Sequence, residues 1–201
     1  KKCFQEDISS IVVARDGRLS GESLLRTFCD AIAQFGIDVD NIGLATSPML
    51  YFAAKKANSK SGVMITGSHN PKNYNGIKMV INDNSVSGSE ILSLIKNDKI
   101  LNNSSTGNIT YSDIKEIYIS EILKNIDTDI SKLKLVIDCG NGAAGFIAPE
   151  LFKRLGCDVI ELYSEVDGNF PNHHPDPGKL ENLEDIISEV KDKNADIGFA
   201  F

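Results

Sequence analysis

Between two short apolar runs, GVMIT and GIKMV, residues 67–75 read GSHNPKNYN, so a serine and a histidine stand side by side on a polar loop. Acyl transfer is the first chemistry to test against Ser68 and His69. It needs a base that reaches the serine oxygen and a third group that orients the base. Adjacent side chains diverge on a strand or tight turn, no acid stands nearby, and Asn70 occupies the place of the second glycine of a G-x-S-x-G elbow. A serine that carries a phosphoryl group suits these residue types better. Such a group wants cations and donors around it, and Arg15, Arg18, Lys72 and Lys78 are at hand. Gly67 is expected to supply the backbone freedom that lifts the hydroxyl clear of the sheet, with turns at Asn70-Pro71 and at 73–76. The competing reading is a turn-rich loop with no chemistry, since Ser, His, Asn and Gly are common turn residues.

Two further stretches hold reactive residue types. In VIDCGNGAAG, Gly140, Gly142 and Gly145 match G-x-G-x-x-G after an apolar strand, and Glu161 falls near the place of a ribose-binding acid. That pattern makes a nicotinamide-dependent oxidoreductase one reading. Against it, the strand ends in Asp138-Cys139 and the unit comes second in the chain; the glycines would equally serve close packing. In DGNFPNHHPDPGK (167–179), His173 and His174 are adjacent, and Asp167 and Asp176 are available. Adjacent histidines rarely face one ion without further ligands at workable spacing. A structural loop with a satisfied histidine, or a wall of a domain-interface cleft, is the expectation here.

The elements that must position these loops follow from periodicity. Apolar strands are expected at 10–14, 41–45, 62–66, 76–81, 133–139, 159–163 and 195–201. Helices are expected at 22–35, at 47–57 after Ser47-Pro48, around 114–122, at 144–155 and at 182–191. This alternation predicts α/β architecture: two consecutive three-layer α/β domains with mixed, largely parallel sheets. The polar stretch 100–110 (ILNNSSTGNIT) marks the edge between them, giving domains at 1–112 and 113–201.

Composition narrows the function. A net charge of -7 over 201 residues lacks the basic face a nucleic-acid binder needs. No apolar run is long enough to span a membrane, and no segment reads as a signal peptide. Cys3, Cys29, Cys139 and Cys157 are widely spaced, which suits buried free thiols in a reducing cytosol rather than disulfides or zinc. The expectation is a cytoplasmic protein that takes a small molecule, with neither nucleic acid nor membrane as partner.

Four blocks in order carry a family likeness: RDGRLSG (15–21), TGSHNP (66–71) followed by YNGIK, VIDCGNGAAG (136–145) and EVDGNFPNHHPDPGK (165–179). They resemble the α-D-phosphohexomutases, most of all the bacterial phosphomannomutase/phosphoglucomutase branch. The resemblance implies that phosphorylated Ser68 exchanges a phosphoryl group with a hexose 1-phosphate or 6-phosphate (mannose or glucose) through a hexose 1,6-bisphosphate. It implies Mg²⁺ on a phosphoserine oxygen, so that Ser68 is the metal contact through its phosphate. Lys78 then resembles the family lysine near the reacting hydroxyl. His69 would join Ser68 and Lys78 in the catalytic set by positioning the loop and the phosphate, Asn70 would help position them, and Arg15 and Arg18 would hold the loop or the phosphate. In the family, a strand like ADIGFAF leads into an aspartate-rich metal loop followed by domains III and IV. Those parts are expected beyond Phe201, and the 201 residues alone are expected to be inactive. A non-catalytic sugar-phosphate binding module is the alternative to mutase chemistry.

Overall fold

The computed structural model describes residues 3, 6–96 and 106–201, which group into two compact units. The first comprises Lys1–Asp16, Ser20–Thr66 and Asn75–Ile114; the second comprises Gly17–Leu19, Gly67–Tyr74 and Lys115–Phe201. Of the polar stretch 100–110, residues 100–105 lie outside the described residues.

The first unit is built on a six-stranded sheet of order β5-β4-β3-β1-β2-β6. Its strands are β1 (Ser10–Arg15), β2 (Asp38–Leu44), β3 (Gly62–Ile65), β4 (Ile77–Ile81), β5 (Asn84–Ser85) and β6 (Ile109–Tyr111). β1 pairs in parallel with β2 and β3, and β2 with β6, while β4 returns antiparallel to β3. The centre of β1 is buried on both faces, as a parallel strand between two helical layers must be. One face sets Ile11, Val13 and Val63 against Leu25 and Cys29 of helix α1 (Gly21–Gln34). On the other face Gly62 admits helix α2 (Ser47–Lys56), since a Cβ there would lie 3.0 Å from Ala54 Cβ and 3.3 Å from Leu50 Cδ1. Pro48 lies in the first turn of α2, where its missing N–H costs nothing.

The second unit carries a parallel sheet of order β8-β7-β9, formed by β7 (Lys134–Asp138), β8 (Asp158–Leu162) and β9 (Ile197–Ala200). Leu135 and Ile137 pack with Ala148 and Phe152 of α5 (Ala148–Arg154). Gly198, level with Val136, faces Ile186 and Val190 of α6 (Glu184–Asp192) within about 3 Å of a notional Cβ. Helix α4 (Lys115–Asn125) is tied in by ion pairs: Lys115 with Glu150 at 2.6 Å, and Glu116 with Arg154 at 2.7 Å. Hydrogen bonds to these cations hold the Glu116 and Glu150 carboxyls below their ordinary range.

The structure departs from expectation in several places. The helix expected over 144–155 is a 3₁₀ turn (Ala143–Phe146) and then α5, because Pro149 at the start of α5 cannot donate to the preceding turn. Likewise 182–191 begins with a 3₁₀ turn (Leu180–Leu183) before α6. Helix α3 (Gly88–Lys96) was not anticipated, although Ser87 Oγ accepts the Glu90 N–H at 3.2 Å, the serine's half of a capping box legible as S-x-x-E. β6 emerges from within the polar stretch because Val39, Asp40 and Asn41 of β2 offer it a parallel ladder. The fold class is nonetheless the one expected: α/β with mixed, largely parallel sheets.

All four cysteines are buried and free. Loss of solvation pushes the Cys29 and Cys139 thiols up from the ordinary 9.0 to about 11, with Asp30 adding to the effect at Cys29. Because the folded values are raised, the stability this contributes is intact below pH 9.0 and is lost as the pH climbs towards about 11. Iodoacetamide at about pH 8, below the ordinary thiol value, should leave both residues unmodified in the native protein and label them in urea. Labelling of native Cys139 at the unfolded rate would contradict the burial.

Candidate active site

The serine loop belongs, by its packing, to the second unit, and Arg18 is the reason. This side chain is only 2% exposed, with its guanidinium 5.5 Å from the centre of the Phe170 ring. Nη1 donates to Pro71 O at 2.6 Å, while Nη2 donates to Ser68 O at 2.9 Å and Asn70 O at 2.7 Å. One planar fork thus gathers three carbonyls of a single loop, which a lysine ammonium has no matching geometry to do. The loop is closed from within by Asn70, whose backbone N–H and side-chain amide both donate to Gly67 O.

This clamp redistributes the roles of Gly67 and Ser68. Gly67 was expected to supply the unusual backbone conformation, but the left-handed residue is Ser68, at φ 52°. Gly67 is needed for a different reason: a Cβ on it would stand 2.3 Å from the Arg18 guanidinium carbon. A non-glycine residue held left-handed stores on the order of 1 kcal/mol, sustained here by the surrounding bonds. The result is an exposed serine on a fixed backbone.

His69 and His174 join this loop to the proline-rich loop 167–179. His69 Nδ1 donates to Pro175 O and His174 Nε2 donates to His69 O, each at 2.7 Å. Behind them, Asp138 is buried at the end of β7, accepting the Gly140 N–H at 2.9 Å. His173 Nε2 lies 3.0 and 3.1 Å from the Asp138 oxygens, and its Nδ1 lies 3.0 Å from His174 O. One ring nitrogen therefore faces the Asp138 carboxyl and the other the His174 carbonyl. Sequence reasoning missed Asp138 and Phe170 as parts of this assembly. The acid ending an otherwise apolar strand was the available signal for Asp138.

The remaining candidates lie elsewhere. Arg15 and Lys78 belong to the first unit. Arg15 donates to Asp16 O at 2.9 Å and stands 3.9 Å from Glu22, at the start of α1. Lys78 is exposed on β4, opposite Met64. In the GNGAAG turn, Gly140 (φ 49°) lies against His173 and Pro175, and a Cβ on Gly145 would stand 2.0 Å from Ser164 O. Protein atoms thus fill the space beside these two glycines. Glu161 forms an ion pair with Lys153 at 2.5 Å, which lowers its carboxyl below the ordinary range. Asp167 and Asp176 accept the N–H groups of Asn169 and Gly178 in their own turns.

Among the described residues no three His, Cys, Asp or Glu side chains converge as metal ligands. Mg²⁺ wants roughly six oxygens in octahedral order. The Ser68 oxygen, or a phosphate upon it, offers one attachment point, so the described residues do not by themselves fit the ion.

Two α/β units, the second of which includes an exposed serine on a clamped loop, define a multi-unit α/β protein. Residues 2–104 match phosphoglucomutase/phosphomannomutase, alpha/beta/alpha domain I, and residues 116–201 match its alpha/beta/alpha domain II. The chain belongs to the phosphoglucomutase/phosphomannomutase family. It is 50% identical to a phosphomannomutase/phosphoglucomutase of Pseudomonas syringae pv. tomato, over 96% of this chain and 41% of that protein. It is 44% identical to a phosphoglucomutase of Neisseria gonorrhoeae, over 100% of this chain and 44% of that one. The crystal structure of a phosphoglucomutase/phosphomannomutase family protein from Burkholderia thailandensis matches with TM-score 0.93 at 41% identity, covering 100% of this chain and 45% of that chain. The chain thus spans less than half the length of these relatives. Among the described residues, no helix is long and apolar enough to cross a membrane.

Replacing Arg18 by Ala strands three loop carbonyls at a buried position, at a cost of about 3 kcal/mol. Chemical denaturation of Arg18→Ala should show that loss, and limited proteolysis should cut within 67–74. Arg18→Lys should recover only part of the stability. A fully stable Arg18→Ala would mean the fork does not hold the loop.

Proposed function

We propose that the protein to which this chain belongs is a phosphohexomutase in which Ser68 carries the phosphoryl group. One observation carries the reading: a serine in a family chain, held left-handed and exposed on a loop whose carbonyls are gathered by a buried arginine. A fixed backbone keeps the oxygen in place through repeated transfers, which is the positioning that phosphoryl transfer chiefly demands.

The phosphoryl group on Ser68 Oγ passes to the free hydroxyl of a hexose 1-phosphate or 6-phosphate, mannose or glucose. The Oγ–P bond breaks as the sugar O–P bond forms, giving a hexose 1,6-bisphosphate. The hydroxyl proton must go to a base, and Lys78 is the proposed group for that transfer or for stabilising the charge. The bisphosphate turns over and returns its other phosphoryl group to Ser68. His69 is proposed to act by positioning the loop, its Nδ1 donating to Pro175 O. Arg18 positions the loop from beneath. Phosphohexomutases are generally Mg²⁺-dependent, and the donor set for such an ion is incomplete among the described residues. The substrate class and a cytoplasmic setting rest on the family reading. A binding module that keeps the serine loop without turnover is the second reading, favoured if Ser68 never carries phosphate.

Tandem mass spectrometry of the Ser68 peptide, from protein purified from its own source, should find a phosphoryl group on Ser68. Ser68→Ala should abolish both the label and turnover. A Ser68 that stays unmodified after exposure to hexose 1,6-bisphosphate and Mg²⁺ would refute the mutase reading. The isolated 201 residues should show negligible turnover of glucose 1-phosphate in a coupled assay, and measurable turnover would refute that expectation.

A further inference from the structure

We infer that Asn75, beside the serine loop, is a site of spontaneous amide hydrolysis, and that the chemically identical Asn141 is protected by the fold. The sequence contains two Asn-Gly steps, Asn75-Gly76 and Asn141-Gly142. This dipeptide is intrinsically labile because glycine places no side chain in the way of its own nitrogen. The Gly76 nitrogen attacks Asn75 Cγ; the N–Cγ bond forms, the amide proton passes to solvent, and the Cγ–Nδ2 bond breaks to release ammonia. Water then opens the cyclic imide at either carbonyl, giving aspartate or isoaspartate. Overall one water enters and one ammonia leaves, with no oxidant or other reactant.

The two sites differ in what the fold does to the attacking nitrogen and to the amide. Asn75 and Gly76 are both exposed, in irregular chain just before β4. The Gly76 N–H is donated to no group among the described residues. The Asn75 amide is held by one exposed bond, 2.8 Å to Ser20 Oγ, which water can replace. Asn141, by contrast, is 4% exposed. Its Nδ2 donates to Glu165 O at 2.9 Å, its Oδ1 accepts from Asn172 Nδ2 at 2.7 Å, and the Gly142 N–H is committed to Cys139 O at 2.7 Å. Reaction at Asn141 requires all three bonds to break, whereas Asn75 needs one surface bond to exchange.

The product adds a negative charge to a chain already at -7, three residues before Lys78. Ageing of this protein is therefore directed to the edge of its candidate site.

The test is storage of the purified protein in warm, mildly alkaline buffer, with peptide mass mapping and enzymatic isoaspartate methylation as readouts. Urea-unfolded protein and Asn75→Gln serve as controls. The unfolded chain should convert both asparagines. In the native protein Asn75 should convert at least about tenfold faster than Asn141, the ratio a local-opening cost of only about 1.4 kcal/mol would produce. Asn75→Gln should lose the isoaspartate signal. Native Asn75 as slow as Asn141, or equal conversion of both, would overturn the inference.

Discussion

A loop that turns back within a few residues leaves carbonyls with no strand partner. Each carbonyl then needs a donor from elsewhere, or the turn opens. Arg18 answers that requirement with one side chain, its fork donating to Ser68, Asn70 and Pro71. The left-handed serine, the glycine before it and the aromatic ring near the guanidinium are all conditions for the fork to sit where it does. Around it His69 donates to Pro175 O and His174 donates to His69 O, so the loop is held by side chains rather than by strand pairing.

The acid at the end of β7 extends the same logic one layer deeper. A buried carboxylate is costly unless it is bonded, and Asp138 is bonded by an imidazole and a backbone N–H. The imidazole belongs to the loop that carries His174. Burying that acid therefore fixes the proline-rich loop, and through it the partner of His69.

Much of this was legible in the sequence, for identifiable reasons. Strands buried on both faces read as apolar runs, and Ser47-Pro48 announced a helix. Of the apolar residues at helical spacing, Leu24, Leu25, Phe28, Ile32 and Phe35, the core takes Leu25, Phe28 and Ile32, while Leu24 and Phe35 stay exposed. What stayed hidden depended on distant contacts. Three residues of β6 become a strand only because β2 offers an edge, and nothing in GNIT declares that. The arginines of RDGR are equivalent on paper. In space Arg15 ends β1 and turns to Asp16 and Glu22, whereas Arg18 is buried among loop carbonyls. The residue before the serine misled in an instructive way, since its small size serves a close approach and the unusual dihedral falls to Ser68. Helix α3 was hidden by nothing physical, because its serine cap lay in plain view.

The two cores are not two heritable pieces. Residues 17–19 and 67–74 pack with the second unit although they are encoded inside the first. A gene cut near residue 114 would preserve each sheet and most of its helices. It would nevertheless leave the second piece without Arg18 and without the strand-borne loop that Arg18 gathers, and the first piece with that loop and arginine stripped of Phe170, Pro175 and His174. Such a cut would spare the strands of both sheets and dismantle the serine loop, so segments 17–19 and 67–74 have to be inherited with residues 115–201.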